Sequence, residues 1–375
     1  MRHTVLESIA TGNPPLRRTQ AYAASFMQRI ESLPAPLRRR LPLIYDRSGI
    51  EYRYSCVEDY ANGDPEAFEF FPPNWSLSPP PTTARRNEKY REAVIPLAED
   101  VARQALAAAS VAPEDVTHVI AVSCTGFFAP GLDIELVKRL GLPPHTRRTF
   151  IGFMGCYAAF NALRVAHSFC QTDPEARVLI VCAELCTIHF QVNDSFENAV
   201  INALFSDGAA AAVLAPRSED DARGHLAYVD HHCLLDDNSM DAMTWDIGDT
   251  GFLMGLSSRV PDILARNLTT YLDTLLGRHR LQPEALDFWA IHPGGRAIVE
   301  KAQEVLGLAD EDVRDSLDVL RRHGNMSSPT ILFVLKRILD RHRALRADGG
   351  DGFRNGLALA FGPGLTLEGC LWKQV

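Results

Sequence analysis

Short apolar runs alternate with helix-period stretches along most of the chain, and that alternation predicts an α/β protein. Residues 116–123 are a β-branched run between Pro113 and Gly126, which predicts a buried strand. Residues 147–153 and 176–183 predict two more, with Glu184 on the exit of the second. A turn over residues 203–208 feeds another strand at 209–214. Helical spacing covers residues 82–109, with Thr82 and Thr83 near the cap, and then residues 131–140. Between residues 149 and 163 the pattern switches midway. Phe150, Ile151 and Phe153 form an apolar run, Gly155 interrupts it, and alanine-rich helical spacing follows. Cys156 therefore falls where strand gives way to helix. Residues 1–90 read instead as irregular, rich in proline and arginine.

The second half repeats the plan. Residues 281–295 echo residues 111–126: a proline, an acidic residue, an apolar strand and a glycine turn. Gly324-Asn325-Met326 before a helix over residues 329–343 echoes Gly155-Cys156-Tyr157 before its own. Asn325 lies 169 residues after Cys156, and Gly295 lies 169 after Gly126. Residues 356–367 are expected to stand where 205–214 stood. Landmarks kept in order at one offset predict two similar halves about a pseudo-twofold axis, with the charged stretch 217–225 between them.

Composition narrows the partners. The chain has 375 residues, a net charge of −9 and no basic run interleaved with aromatics, which argues against nucleic acid. Eight cysteines are scattered without a CxxC pair, the usage of a reducing compartment. The first residues lack the apolar core of a signal peptide, and no apolar run is long enough to span a bilayer. The expectation is a cytoplasmic protein.

The duplication puts Cys156 and Asn325 at equivalent helix starts, facing each other across the axis, with His292 at a strand end beside Gly294 and Gly295. A thiol at a helix start meets unpaired amides and the positive end of the helix dipole, which favour thiolate. An imidazole within reach would activate it further, and a carboxamide can donate to an oxyanion.

With those residues in place the sequence resembles the type III polyketide synthases, the chalcone synthase superfamily on the thiolase fold, from about residue 95 to the carboxyl terminus. The resemblance rests on Gly155-Cys156, Leu204-Phe205-Ser206-Asp207-Gly208-Ala209-Ala210, Ile291-His292-Pro293-Gly294-Gly295, Gly324-Asn325-Met326-Ser327-Ser328 and Phe361-Gly362-Pro363-Gly364. Ala360 replaces the first glycine of the last loop. The resemblance implies a layered αβαβα fold: residues 1–220 carry the nucleophilic cysteine, and residues 221–375 carry the histidine and asparagine.

It also implies roles. Cys156 would take an acyl group from a starter coenzyme A thioester, held beforehand as a thiolate by His292. His292 and Asn325 would bind the thioester carbonyl of malonyl-CoA and stabilise the enolate left by loss of CO₂, and that carbanion would attack acyl-Cys156. Phe205 matches a gatekeeping phenylalanine and Met254 a second gate. Cys124, Thr125 and the loop Phe361-Gly362-Pro363-Gly364 would line the cavity, and Trp245 would narrow it if it points inward. Cys124, Glu184 and Ser327 are the counterparts of a network that releases the thioester before aldol closure. A thiol donates more weakly than a threonine hydroxyl, which favours pyrones. Arg47 and Arg53, with Gly294, Gly295 and Ala297, would bind coenzyme A, although Glu51 stands where the family has a basic residue.

The activity so implied is iterative condensation of malonyl-CoA onto an acyl-CoA starter, fatty by the softness of Met254, closing to an alkylpyrone or alkylresorcinol. Neither a cofactor nor a metal is expected, and His231-His232 reads as a loop pair. A homodimer is implied, with Ala129 where a methionine reaches into the partner's cavity in plant relatives. Two other readings are a ketoacyl synthase III-like enzyme performing one extension, and a non-catalytic acyl-binding partner.

Overall fold

The structure is a computed structural model and describes residues 2–375. The chain opens with β1 (Arg2–Gly12), β2 (Leu16–Thr19), α1 (Gln20–Arg29), α2 (Ala35–Arg47) and β3 (Tyr52–Ser55). Then come α3 (Thr83–Ala108), β4 (His118–Ser123), α4 (Leu132–Leu140), β5 (Arg147–Gly152) and α5 (Ala158–Thr172). The first half closes with β6 (Val178–Leu185), α6 (Phe196–Leu204), β7 (Asp207–Ser218) and the short α7 (Glu219–Ala222). The second half runs β8 (Leu226–Leu235), β9 (Met243–Gly248), β10 (Gly251–Leu256), α8 (Val260–Gly277) and β11 (Phe288–Ile291). It ends with α9 (Arg296–Leu306), α10 (Asp310–His323), α11 (Thr330–Ala347), β12 (Asn355–Gly362) and β13 (Thr366–Gln374).

Nine strands pair in the order β11-β12-β13-β8-β1-β7-β6-β4-β5. The run β4-β6-β7-β1 goes parallel, antiparallel, antiparallel, and so does β11-β12-β13-β8. The two runs meet only where Thr4 faces Tyr228 and Val5 faces Ala227. Three apolar clusters separate the layers. In the middle, Ala159 and Leu163 of α5 and Ile331 and Leu335 of α11 pack against Ile120 and Ile180 on one side and Ala290 and Ala358 on the other. Outside the first run, Val94, Ala98 and Val101 of α3 cover Val119 and Leu179. Outside the second, Leu264, Leu268 and Leu272 of α8 cover Trp289 and Leu357. α3 and α8 each present one apolar stripe to a sheet face, whereas α5 and α11 are apolar on most sides because they are covered from both. The result is a thiolase-like αβαβα stack.

Three sequence expectations are corrected here. Residues 1–90 are not irregular: β1 is a central strand whose Thr4–Ala10 are all buried. Burial on both faces removed the polar alternation that marks a strand, and Glu7 and Ser8 broke the apolar run. Residues 356–367 are not the counterpart of 205–214. β12 lies parallel to β11 as β6 lies parallel to β4, so β12 answers β6, and β13 answers β7. An alanine- and glycine-containing apolar run fits either position, and only pairing direction tells them apart. His231 and His232 are not in a loop but in β8, opposite Cys370 and Gly369 of β13.

Candidate active site

The turn before α5 is set by Gly155, whose φ of +77° is the left-handed conformation that glycine adopts without steric cost. A Cβ on Gly155 would stand 2.6 Å from Cδ of Pro363, and one on Gly362 would stand 2.5 Å from the Tyr157 ring. The Phe361-Gly362-Pro363-Gly364 turn therefore presses directly on the turn that carries Cys156, and Cys156 is buried. Gly364, at φ +114°, lets that turn reverse into β13.

His292 follows β11. Its backbone N–H donates to Leu359 O at 2.8 Å and its carbonyl accepts from Gly294 N–H at 2.9 Å, which anchors the residue while both ring nitrogens stay buried without a partner among the described residues. Asn325 is held by a single bridge to Phe205: its N–H donates to Leu204 O at 3.0 Å and its carbonyl accepts from Ser206 N–H at 2.9 Å. Its side chain is fixed at both ends. Oδ1 accepts from Ser327 N–H at 2.8 Å, and Nδ2 donates to Gly294 O at 3.0 Å. An amide has two N–H groups on that nitrogen, so one is left for a ligand.

Cys156, His292 and Asn325 line one cavity of about 1880 Å³ including its open mouth. Gly294, Gly295, Ala297 and Phe361 share its walls. A second, inner chamber of about 1170 Å³, its open mouth included, is lined by Cys124, Thr125, Ser327 and Pro363. Phe205, Met254 and Cys156 border both, so the two residues read as gates stand at the junction beside the thiol.

The electrostatics correct one expectation. Burial pushes the Cys156 thiol up to about 11 and the His292 imidazole down to about 3. The neighbouring polar groups of Ser327 and Asn325 offset the first only in part. Desolvation thus disfavours the charged form of each group and works against the ion pair expected from the sequence. Reaction of Cys156 with iodoacetamide should consequently accelerate steadily from about pH 7 to about pH 10, as the thiolate fraction grows. A rate plateau on the acid side of neutrality would contradict this.

Glu184 is wholly buried at the end of β6, and burial raises its carboxyl. It accepts from Ser328 Oγ at 2.6 Å, Thr125 Oγ1 at 2.7 Å, Cys124 N–H at 2.9 Å and Ser123 Oγ at 3.1 Å. The expected Cys124, Glu184 and Ser327 set is adjacent, but wired differently. Glu184 meets the main-chain N–H of Cys124, and Ser327 Oγ reaches only the Cys124 sulfur, at 3.5 Å. Ser123 and Ser328 were missed by the sequence reading, although each neighbours a residue it named. Also missed was His189, whose Nδ1 accepts from Phe252 N–H at 3.0 Å while its Nε2–H donates to Thr125 O at 2.7 Å. Trp245 does point inward, and its indole N–H donates to Cys124 O at 2.8 Å.

At the mouth of the outer cavity stand Arg40, Arg47 and Arg296, so Arg47 lies where a coenzyme A phosphate would pass. Arg53 does not. Its guanidinium donates to the carbonyls of Asn202 and Phe205, the latter at 3.0 Å, and lies 5.5 Å from the Tyr45 ring centroid. It ties down the turn that holds Phe205, which leaves it unavailable at the mouth. Glu51 is paired with Arg321 at 3.0 Å. Among the described residues no group of three or more His, Cys, Asp and Glu is placed to hold a metal ion, and no helix is long and apolar enough to cross a membrane.

Comparison with known proteins agrees with this geometry. The structure resembles that of PKS-I from the brown alga Ectocarpus siliculosus, with a TM-score of 0.96, 38% identity, and 100% and 99% of the two chains covered. The C-terminal type III polyketide synthase domain of Steely1, a type I/III hybrid from Dictyostelium, superposes with a TM-score of 0.85 at 26% identity, covering 100% of this chain and 99% of that one. In sequence, the alpha-pyrone synthesis polyketide synthase-like Pks18 of Mycobacterium tuberculosis is 33% identical over 373 residues, 99% of this chain and 91% of Pks18. The N-terminal domain of chalcone and stilbene synthases matches residues 3–217 and the C-terminal domain matches residues 233–375. The chain belongs to the chalcone and stilbene synthase family, the type III polyketide synthases, which are acyltransferases acting on acyl-CoA and malonyl-CoA.

Proposed function

We propose that this synthase extends a fatty acyl-CoA starter with several malonyl units and closes the product to an alkylpyrone. The observation that carries the reading is the inner chamber. Besides Cys156 and Trp245 its lining includes Ala23, Phe26 and Met27 of α1 with Tyr60, Cys186 and Phe190. A wall this apolar, next to the thiol, suits an aliphatic tail. The Pks18 relative is described as a synthase of alpha-pyrones, which supports the same product class.

In the proposed mechanism His292 takes the thiol proton as Cys156 Sγ attacks the starter thioester, and returns it to the departing coenzyme A sulfur. Malonyl-CoA then enters through the outer cavity, its phosphates near Arg40, Arg47 and Arg296. Its thioester carbonyl accepts from the imidazole N–H and from the free N–H of Asn325 Nδ2. Loss of CO₂ moves the electron pair of the broken bond into an enolate, where those donors act most strongly. The enolate carbon attacks acyl-Cys156, and the sulfur leaves as thiolate. No metal or organic cofactor enters any step. With Cys124 joined to Glu184 through its backbone, no hydroxyl relay leads from Glu184 to Ser327, which supports closure through an enol oxygen over aldol closure. The same reading expects a homodimer, to be measured by light scattering. The exposed Ile134 of α4 and Phe150 of β5 are apolar surface available to it.

Palmitoyl-CoA with labelled malonyl-CoA is the test. The wild type should yield a labelled alkylpyrone. Ala23→Trp, which adds bulk to that wall, should lower use of palmitoyl-CoA by about tenfold relative to butyryl-CoA. A diketide as sole product would favour the single-extension reading instead, and a resorcinol would overturn the lactone. Equal losses on both starters would remove the chamber from the argument.

A further inference from the structure

The outer rim of the coenzyme A mouth carries more than a nucleotide needs. Helix α2 buries Leu37, Leu41 and Tyr45 against the core, at helical spacing. Its opposite side sets Arg40, Leu43 and Arg47 on one stripe, three and four residues apart, and all three are exposed. Leu43 keeps 50% of its surface open. Across the mouth, α6 packs beside α2 and begins with Phe196, which is 55% open. Arg296, at the start of α9 and paired with Glu300 at 2.7 Å, completes the rim together with Glu197. Two large apolar side chains thus flank an arginine cluster at the entrance of a cavity leading to Cys156.

We propose that this rim docks a small acidic acyl carrier domain, which hands the starter to Cys156 on its phosphopantetheine arm. The inference rests on the function proposed above and names the donor of its starter. Charge favours such a partner. The chain carries −9 overall, yet α2 holds Arg38, Arg39, Arg40 and Arg47 against a single Asp46, so this side of the mouth is locally cationic. An acidic helix laid along α2 meets Arg40 and Arg47 on either side of Leu43, with Phe196 across the mouth, the apolar anchors that a protein contact uses. A small domain touches only this rim, whereas an anionic bilayer would extend past it over a chain of net charge −9. The chemistry balances without a co-reactant: Cys156 Sγ forms the new thioester, the pantetheine sulfur leaves, and the thiol proton passes to it through His292.

The test compares one starter on two donors. A bacterial acyl carrier protein charged with palmitate and palmitoyl-CoA are each supplied with malonyl-CoA, to the wild type and to the uncharged variants Leu43→Gln and Phe196→Gln. The wild type is expected to use both donors. Each variant is expected to lose at least about tenfold in kcat/KM with the carrier while staying within about twofold on palmitoyl-CoA. Rising salt should slow the carrier reaction more steeply than the coenzyme A reaction. A wild type inert to the acyl carrier overturns the proposal. So does an equal loss on both donors, which would assign these side chains to coenzyme A. Sedimentation with phosphatidylglycerol vesicles that is lost in Leu43→Gln, with no discrimination between donors, would overturn it in favour of a membrane surface. Absence of product from palmitoyl-CoA in the wild type would instead sink the function proposed above, so the two failures are distinguishable.

Discussion

Cys156→Ala should abolish polyketide formation, lowering the rate of chain extension by about 10⁴ or more, because no other group in the site can carry the acyl chain. The remaining cysteines near the cavities do not replace it: Cys124 and Cys186 line the inner chamber and not the cavity that holds His292 and Asn325, and burial holds both thiols well above their ordinary range. The substitution removes one sulfur from a buried turn, so the fold should survive with only a small loss of stability. Loss of CO₂ from malonyl-CoA should continue within about tenfold, because the two proposed donors to the enolate remain. Product analysis by mass spectrometry and release of labelled CO₂ read the two halves separately. Extended acyl chains from the alanine variant at near the wild-type rate would refute the mechanism.

Asn325→Ala should reverse that pattern. Acylation of Cys156, seen as an intact-mass increase with palmitoyl-CoA alone, should persist. Decarboxylation and extension should both fall about 10²- to 10³-fold, the usual cost of one donor to a developing oxyanion. The alanine also strands the Ser327 N–H, which Oδ1 accepts at 2.8 Å, at a residue already held at φ +59°. An unpartnered buried N–H costs about 1–3 kcal/mol. Asn325→Asp separates the two effects. It keeps an acceptor for Ser327 but sets an oxygen instead of a donor against both Gly294 O and the enolate, so decarboxylation should stay low whichever way the melting temperature moves relative to the alanine variant. If activity tracked stability across the two variants, Asn325 would be structural only.

Much of this site could be read from the sequence because its residues sit at punctuation. Cys156, His292 and Asn325 each follow a strand or helix end next to a glycine, and the internal repeat tied two of them to one offset. The layered fold followed from the same repeat together with strands apolar enough to be buried on both faces. What sequence could not reveal was decided by partners distant along the chain. β1 is central only because β7 and β8 flank it. Arg53 looked like a phosphate ligand until the carbonyls of Asn202 and Phe205 claimed its guanidinium. His189 carried no pattern of its own, since its function is to bridge Thr125 and Phe252, which lie far apart along the chain. The ionisation of Cys156 depends on distant partners for a related reason. A helix start favours thiolate, but dryness opposes it, and dryness depends on how the whole cavity closes.

The contact between Trp245 and Cys124 bears on how such an enzyme could change its substrate range. A smaller residue at Trp245 would widen the space behind the thiol, and it would also release the carbonyl of the residue whose N–H holds Glu184. Breadth of the chamber and order of the buried carboxylate are thereby yoked together. Diversification by drift has an easier course through α1, where Ala23 and Met27 can vary in bulk without disturbing that hub.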